Sequence, residues 1–199
     1  MFLLYVISIL SQIGTCVKSA KPLYWAYHNC LGRHLCWIIV IAPSVRAAGQ
    51  LGFCRMPDQI HAARAALHYW EEPVISGSYG SGAVFFSGCT LRCAFCQNGV
   101  ISQENFGKPL SPAGLRAVFE RLIDEGCQNI NLVTPTHFLP SILPALTPKL
   151  PVPVVYNCGG YESVETLRQL EGLVDIYLPD FKYSDDRLAA KLSAAPDYA

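Results

Sequence analysis

The chain has 199 residues, with fifteen basic and fifteen acidic side chains and a formal charge of zero. Half of it is hydrophobic and only 15% is charged, which suits a globular core and excludes a disordered chain. No basic field is available for nucleic acid or for an anionic membrane, so neither is expected as a partner.

The first ten residues, Met1 to Leu10, are apolar. No cation precedes them, the first being Lys18, and a bilayer span needs ~20 apolar residues. The run therefore predicts neither a secretion signal nor an anchor, and a cytoplasmic location is expected. Residues 1–45 are expected to be an irregular N-terminal segment of separate origin, and 46–82 a segment ahead of the main domain, 83–199.

Within that domain strands alternate with helices. Tyr79 to Gly82 (YGSG) reads as a turn. Ala83 to Ser87 (AVFFS) is a short buried-type strand that opens onto Gly88. A helix follows, capped by Ser111 with Pro112 in its first turn; Leu115, Val118, Phe119, Leu122 and Ile123 share one face, and Gly126 stops it. Asn129 to Val133 is a second strand, followed by a Thr-Pro-Thr-His-Phe loop and a short helical stretch near Ser141 to Leu146. Val152 to Tyr156 is a third strand ending at Asn157-Cys158-Gly159-Gly160, and Val164 to Leu170 is helical behind Ser163. Val174 to Leu178 is a fourth strand, and Ser184 caps a last helix to about Leu192.

Such alternation predicts an α/β fold of parallel βα units, whose ligands bind at the carboxyl ends of the strands. The polar and glycine-rich segments all fall at those ends: 88–96, 134–137, 157–160 and 180–182.

Nine cysteines are present, three of them within eight residues: Cys89, Cys93 and Cys96, a C-x3-C-x2-C array. Thiols that close together suit one metal centre better than independent disulfides, and imply a reducing compartment. Three thiolates can hold three corners of an iron–sulfur cubane and leave one iron open, whereas an electron carrier wants a fourth cysteine. Zinc is the other option, although no second Cys-x-x-Cys or histidine pair accompanies the array. Cys127 and Cys158 read as core residues.

The array, with Phe95 just before its last cysteine, resembles the signature of the radical S-adenosylmethionine (SAM) superfamily. His68 to Pro73 (HYWEEP), Phe85 to Asn98 (FFSGCTLRCAFCQN), Ile130 to Phe138 (INLVTPTHF), Val154 to Glu162 (VVYNCGGYE) and Ile176 to Tyr183 (IYLPDFKY) resemble a subfamily related to pyruvate formate-lyase activating enzyme. The likeness starts abruptly at Arg46 and runs to about residue 198.

The resemblance implies a partial (βα) barrel of parallel strands, truncated at the C-terminus, behind a pre-barrel segment. It implies a [4Fe–4S] cluster on Cys89, Cys93 and Cys96, with SAM bound at the open iron. Reductive cleavage would give a 5′-deoxyadenosyl radical that abstracts hydrogen, in an activating-enzyme-like reaction on a protein or peptide. A reductant such as flavodoxin or ferredoxin would supply the electron. Phe95 would lie against the adenine or serve only in packing. Thr134 and Thr136 stand where relatives carry Gly-Gly-Glu, and would contact SAM in its place. Asn157 falls at a turn that relatives use for the cofactor, and also suits an ordinary strand end. Asp180 and Lys182 would hold the SAM ribose or carboxylate, or a cation, or form a plain salt-bridged strand end. His137 would be a proton donor, a substrate contact or a hydrogen-bonded loop residue. Cys30, Cys36 and Cys54 are candidates for a second metal. A simple iron–sulfur electron-transfer module and a catalytically inactive fragment are the competing readings.

Overall fold

The structure is a computed structural model that describes residue 46, residues 49–70 and residues 72–199. Its strands are β1 (Ile60–His68), β2 (Ser81–Phe86), β3 (Lys108–Leu110), β4 (Ile130–Val133), β5 (Val154–Cys158) and β6 (Ile176–Pro179). They form one six-stranded open sheet in the order β3-β1-β2-β4-β5-β6. The pairs β2–β4, β4–β5 and β5–β6 are parallel, while β1 runs antiparallel to both of its neighbours. Val84, Leu132, Tyr156 and Tyr177 lie in register across the parallel half. The fold is thus mixed α/β with a mostly parallel, unclosed sheet.

The four parallel strands follow the sequence expectation with boundaries moved by one or two residues. Ser81 and Gly82, expected in a turn, begin β2, and only Gly80 keeps a left-handed turn conformation (φ 83°). β1 and β3 were not foreseen. Residues 60–68 contain no alternation, and this alanine-rich stretch becomes a strand because β2 and β3 pair with it on both sides.

The helices are α1 (Pro73–Ser76), α2 (Gly99–Ser102), α3 (Pro112–Asp124), α4 (Leu139–Ile142), α5 (Val164–Arg168) and α6 (Asp186–Ser193). Ser111 caps α3 by accepting from the Gly114 amide, and Ser163 caps α5 by accepting from the Thr166 amide. The cap of α6 is Asp185 rather than Ser184; its carboxylate accepts from the Arg187 amide at 2.8 Å.

Helix α3 lays Leu115, Phe119 and Leu122, all fully buried, on Val84, Phe86, Ile130 and Leu132 of the sheet, with Phe138, Ile142 and Leu146 beside them. Burial of one such side chain contributes about 1.5–3 kcal/mol, so this layer fixes the sheet that carries the strand-end loops. Among the described residues no helix is long and apolar enough to cross a membrane.

Candidate functional site

The loops after β2, β4, β5 and β6 emerge at one edge of the sheet, because these strands are parallel. The loop after β2 starts at Gly88 with φ 79°. A Cβ there would stand 2.8 Å from the Cys54 carbonyl, so this close approach requires glycine. Leu91, 2% exposed, roots the loop beneath its three cysteines.

Each thiol meets a different partner. The Cys89 sulfur accepts from the Leu91 amide at 3.3 Å, Cys93 accepts from the Ser193 hydroxyl at 2.9 Å, and Cys96 lies 3.2 Å from the Ser102 hydroxyl. The Arg92 and Ala94 amides donate to the Ser193 and Leu192 carbonyls, at 2.9 and 2.8 Å. The cysteine loop thereby satisfies carbonyls that the end of α6 leaves open. Burial pushes the Cys89 thiol up to about 12; the Leu91 amide opposes the rise, and charge on Cys93, Cys96 and Glu162 adds to it. Cys93, Cys96 and Glu162 therefore all lie within electrostatic reach of Cys89.

Among the described residues, no group of three or more His, Cys, Asp or Glu side chains is arranged to hold a metal ion. A mononuclear ion needs donors that converge on one point, whereas a cubane takes each thiolate on a different iron. Three thiols on one rooted loop suit the donor set of a cubane. A cationic group there would also offset the burial that keeps Cys89 protonated.

Behind the thiols lies a polar chain. The Tyr156 hydroxyl donates to Thr136 Oγ1, which donates to Glu162 Oε1, both at 2.9 Å. The Cys158 thiol also bonds Glu162, and burial together with that carboxylate pushes the thiol well up. Burial raises the Glu162 carboxyl above its ordinary range, although the bonds from Cys158 and Thr136 pull the other way. Glu162 was not singled out from the sequence. It is the one acid between Val154 and Ser163, directly after a Gly-Gly strand end, and that position was the available signal.

The other expected residues divide. Thr134 adopts φ 57° and donates its amide to the Asn157 carbonyl at 2.9 Å. A β-branched residue in this conformation is strained by about 1–3 kcal/mol, of the kind that collects at functional sites. Lys182 and Asp180 form a 2.5 Å ion pair, the salt-bridged strand end weighed above. Burial opposes the protonated Lys182, but the Asp180 bond and charge outweigh it and hold its pKa above the ordinary value. The Tyr198 hydroxyl ties this end down, lying 2.7 Å from the Gly159 carbonyl and accepting from the Lys182 amide at 3.0 Å. Phe95 packs edge-on against Tyr183, with centroids 6.2 Å apart, and stays 55% exposed.

His137 is fully buried. Its Nε2 lies 2.7 Å from the Ser87 carbonyl, which can only accept, so Nε2 carries the proton and Nδ1 is left without a partner. Burial pulls its pKa down to about 4, which favours the neutral, hydrogen-bonded ring. Cys54 is buried in the core beside Arg46, whose guanidinium bonds the Pro57 and His137 carbonyls. Cys30 and Cys36 lie outside the described residues. Cys127 joins the main core, as expected.

No known protein-family profile matches the chain. An uncharacterised protein of Methanocaldococcus jannaschii is 33% identical over 192 residues, covering 92% of this chain and 53% of the relative. The chain thus spans about half the length of the curated relative that it matches.

Proposed function

We propose that the chain is a radical SAM enzyme of the activating-enzyme kind, built on a partial (βα) barrel. The observation that carries this reading is the C-x3-C-x2-C loop, seated on the carboxyl end of a parallel strand with its first thiol, Cys89, in reach of Glu162. Cys89, Cys93 and Cys96 would hold a [4Fe–4S] cluster. When bound, a cluster with one iron free of protein ligands supplies the electron that cleaves SAM to a hydrogen-abstracting 5′-deoxyadenosyl radical.

The protein's own residues bind and orient. Glu162 places a carboxylate beside the thiols, suited to a cationic ligand. Thr134, Thr136, Asn157, Asp180 and Lys182 supply hydroxyl, carbonyl and charged groups from three neighbouring strand ends. Phe95 offers an exposed ring for stacking, and Leu91 with the aromatic cluster beneath it keeps water from the loop's inner side. A flavodoxin- or ferredoxin-like reductant, a protein or peptide substrate and a cytoplasmic setting belong to the same proposal.

The test is anaerobic reconstitution with iron and sulfide, followed by reduction and EPR with and without SAM. A [4Fe–4S]⁺ signal altered by SAM is expected. A cluster signal indifferent to SAM would point to an electron-transfer module instead, and a chain that assembles no cluster would sink the reading.

A further inference from the structure

Cys93 differs from the other two cysteines in how it is held. The amides on either side of it, Arg92 and Ala94, both bond to the last turn of α6, and its sulfur takes the hydroxyl of Ser193 from that same turn. Ser193 is fully buried and lies 100 residues away in sequence. Its Oγ also stands 2.6 Å from the Tyr183 hydroxyl, itself 8% exposed.

Proton bookkeeping fixes the direction of these bonds. A metal-bound thiolate can only accept, so the single Ser193 hydroxyl proton points at Cys93. Ser193 then has only lone pairs to offer Tyr183, and the phenol must be the donor. The chain runs Tyr183 O–H to Ser193 O–H to Cys93 sulfur, with no half of it open to water. By contrast, the Ser102 hydroxyl beside Cys96 is part-exposed, where water can replace it.

We infer that Ser193 and Tyr183 form a relay that tunes the cluster through the Cys93 sulfur, which makes Ser193 a positioning residue. The inference rests on the cluster reading above. Bonds donated to ligating sulfur stabilise the electron-rich, reduced state and raise the reduction potential. In a dry environment such a bond is worth more than on the surface.

The experiment is a redox titration of the reconstituted chain, with dithionite as electron source and the reduced cluster read by EPR. Ser193→Ala is expected to leave iron content unchanged and to lower the reduced-to-oxidised ratio at a fixed poise about tenfold, which is ~59 mV for one electron. Tyr183→Phe shifts it the same way by less, Ser193→Thr restores the parent value, and Ser102→Ala moves it least. An unshifted potential in a fully loaded Ser193→Ala protein overturns the inference and leaves the cluster reading standing. If Ser193→Ala fails to load, Tyr183→Phe decides alone: an unchanged potential there overturns the relay. A parent chain that takes up no cluster removes both.

Discussion

Two of the clusters of packed side chains among the described residues are made of different material. The larger, between α3 and the sheet, is almost wholly hydrocarbon: leucines, isoleucines, valines and phenylalanines drawn from regular elements. The smaller, at the strand ends, gathers Leu91, Cys93, Ala189 and Ala195 with Tyr161, Tyr183 and Tyr198, largely from loops. In the first cluster a side chain need only fill space. In the second each tyrosine packs its ring and also uses its hydroxyl: Tyr161 on Asp197, Tyr183 on Ser193, Tyr198 on the Gly159 carbonyl. The difference separates a scaffold from a seat, in which rings hold shape and hydroxyls aim neighbouring groups.

Substitutions should tell the two apart. Cys93→Ser is expected to abolish cluster uptake, measured by iron and sulfide content, while far-UV circular dichroism and the unfolding midpoint change little. Phe119→Ala should do the reverse, costing about 3–5 kcal/mol in a denaturant melt, because the site beneath α3 cannot collapse around the void. Cluster uptake measured well below the new midpoint should survive.

His137 links the regions through Ser87 and gives a pH test. Its folded pKa is depressed from 6.5 to about 4, so its contribution is complete above 6.5 and fades as pH falls through 4. Unfolding free energy should drop by up to roughly 3 kcal/mol over that window. His137→Phe should flatten the slope in urea melts taken at successive pH values. Glu162 runs oppositely and more weakly. Its pKa is raised, so its contribution is complete below the unfolded value of 4.5 and declines as pH rises through the folded one. Glu162→Gln, always neutral, should unfold at higher denaturant than the parent at pH 7 and lose that advantage by pH 4. The smallest effect belongs to Phe95→Ala: stability within about 0.5 kcal/mol of the parent, as for an exposed side chain. Any loss should appear in SAM retention by equilibrium dialysis.

The same contrast explains what could be read from the chain alone. Helix α3 was legible almost to the residue, since Ser111, Pro112 and the apolar period are local signals. The cysteine array was legible for the same reason. β1 was not, because Ile60–His68 is rich in alanine, the best helix former, and becomes strand only through partners on either side. Asp185 displaced Ser184 as cap by one residue, within ordinary boundary uncertainty. Glu162 and Ser193 escaped because their meaning is purely tertiary: Thr136 reaches Glu162 across 26 residues and Ser193 reaches Cys93 across 100. A window of about 11–18 residues, the span over which periodicity is read, contains both members of neither pair.

That last separation also bears on the order in which the molecule is made. At about 5–20 residues per second, the ribosome needs roughly 5–20 s after Cys93 to deliver Ser193. Until then the Arg92 and Ala94 amides have no helix end to bond, and the nascent loop is a tether carrying loose thiols. Closing so long a loop comes late in folding, since its entropy must be lost before the contact rewards it. Cys93 acquires its native setting only once Ser193 has been synthesised, so on the cluster reading proposed above the loop would bind metal after translation of this stretch.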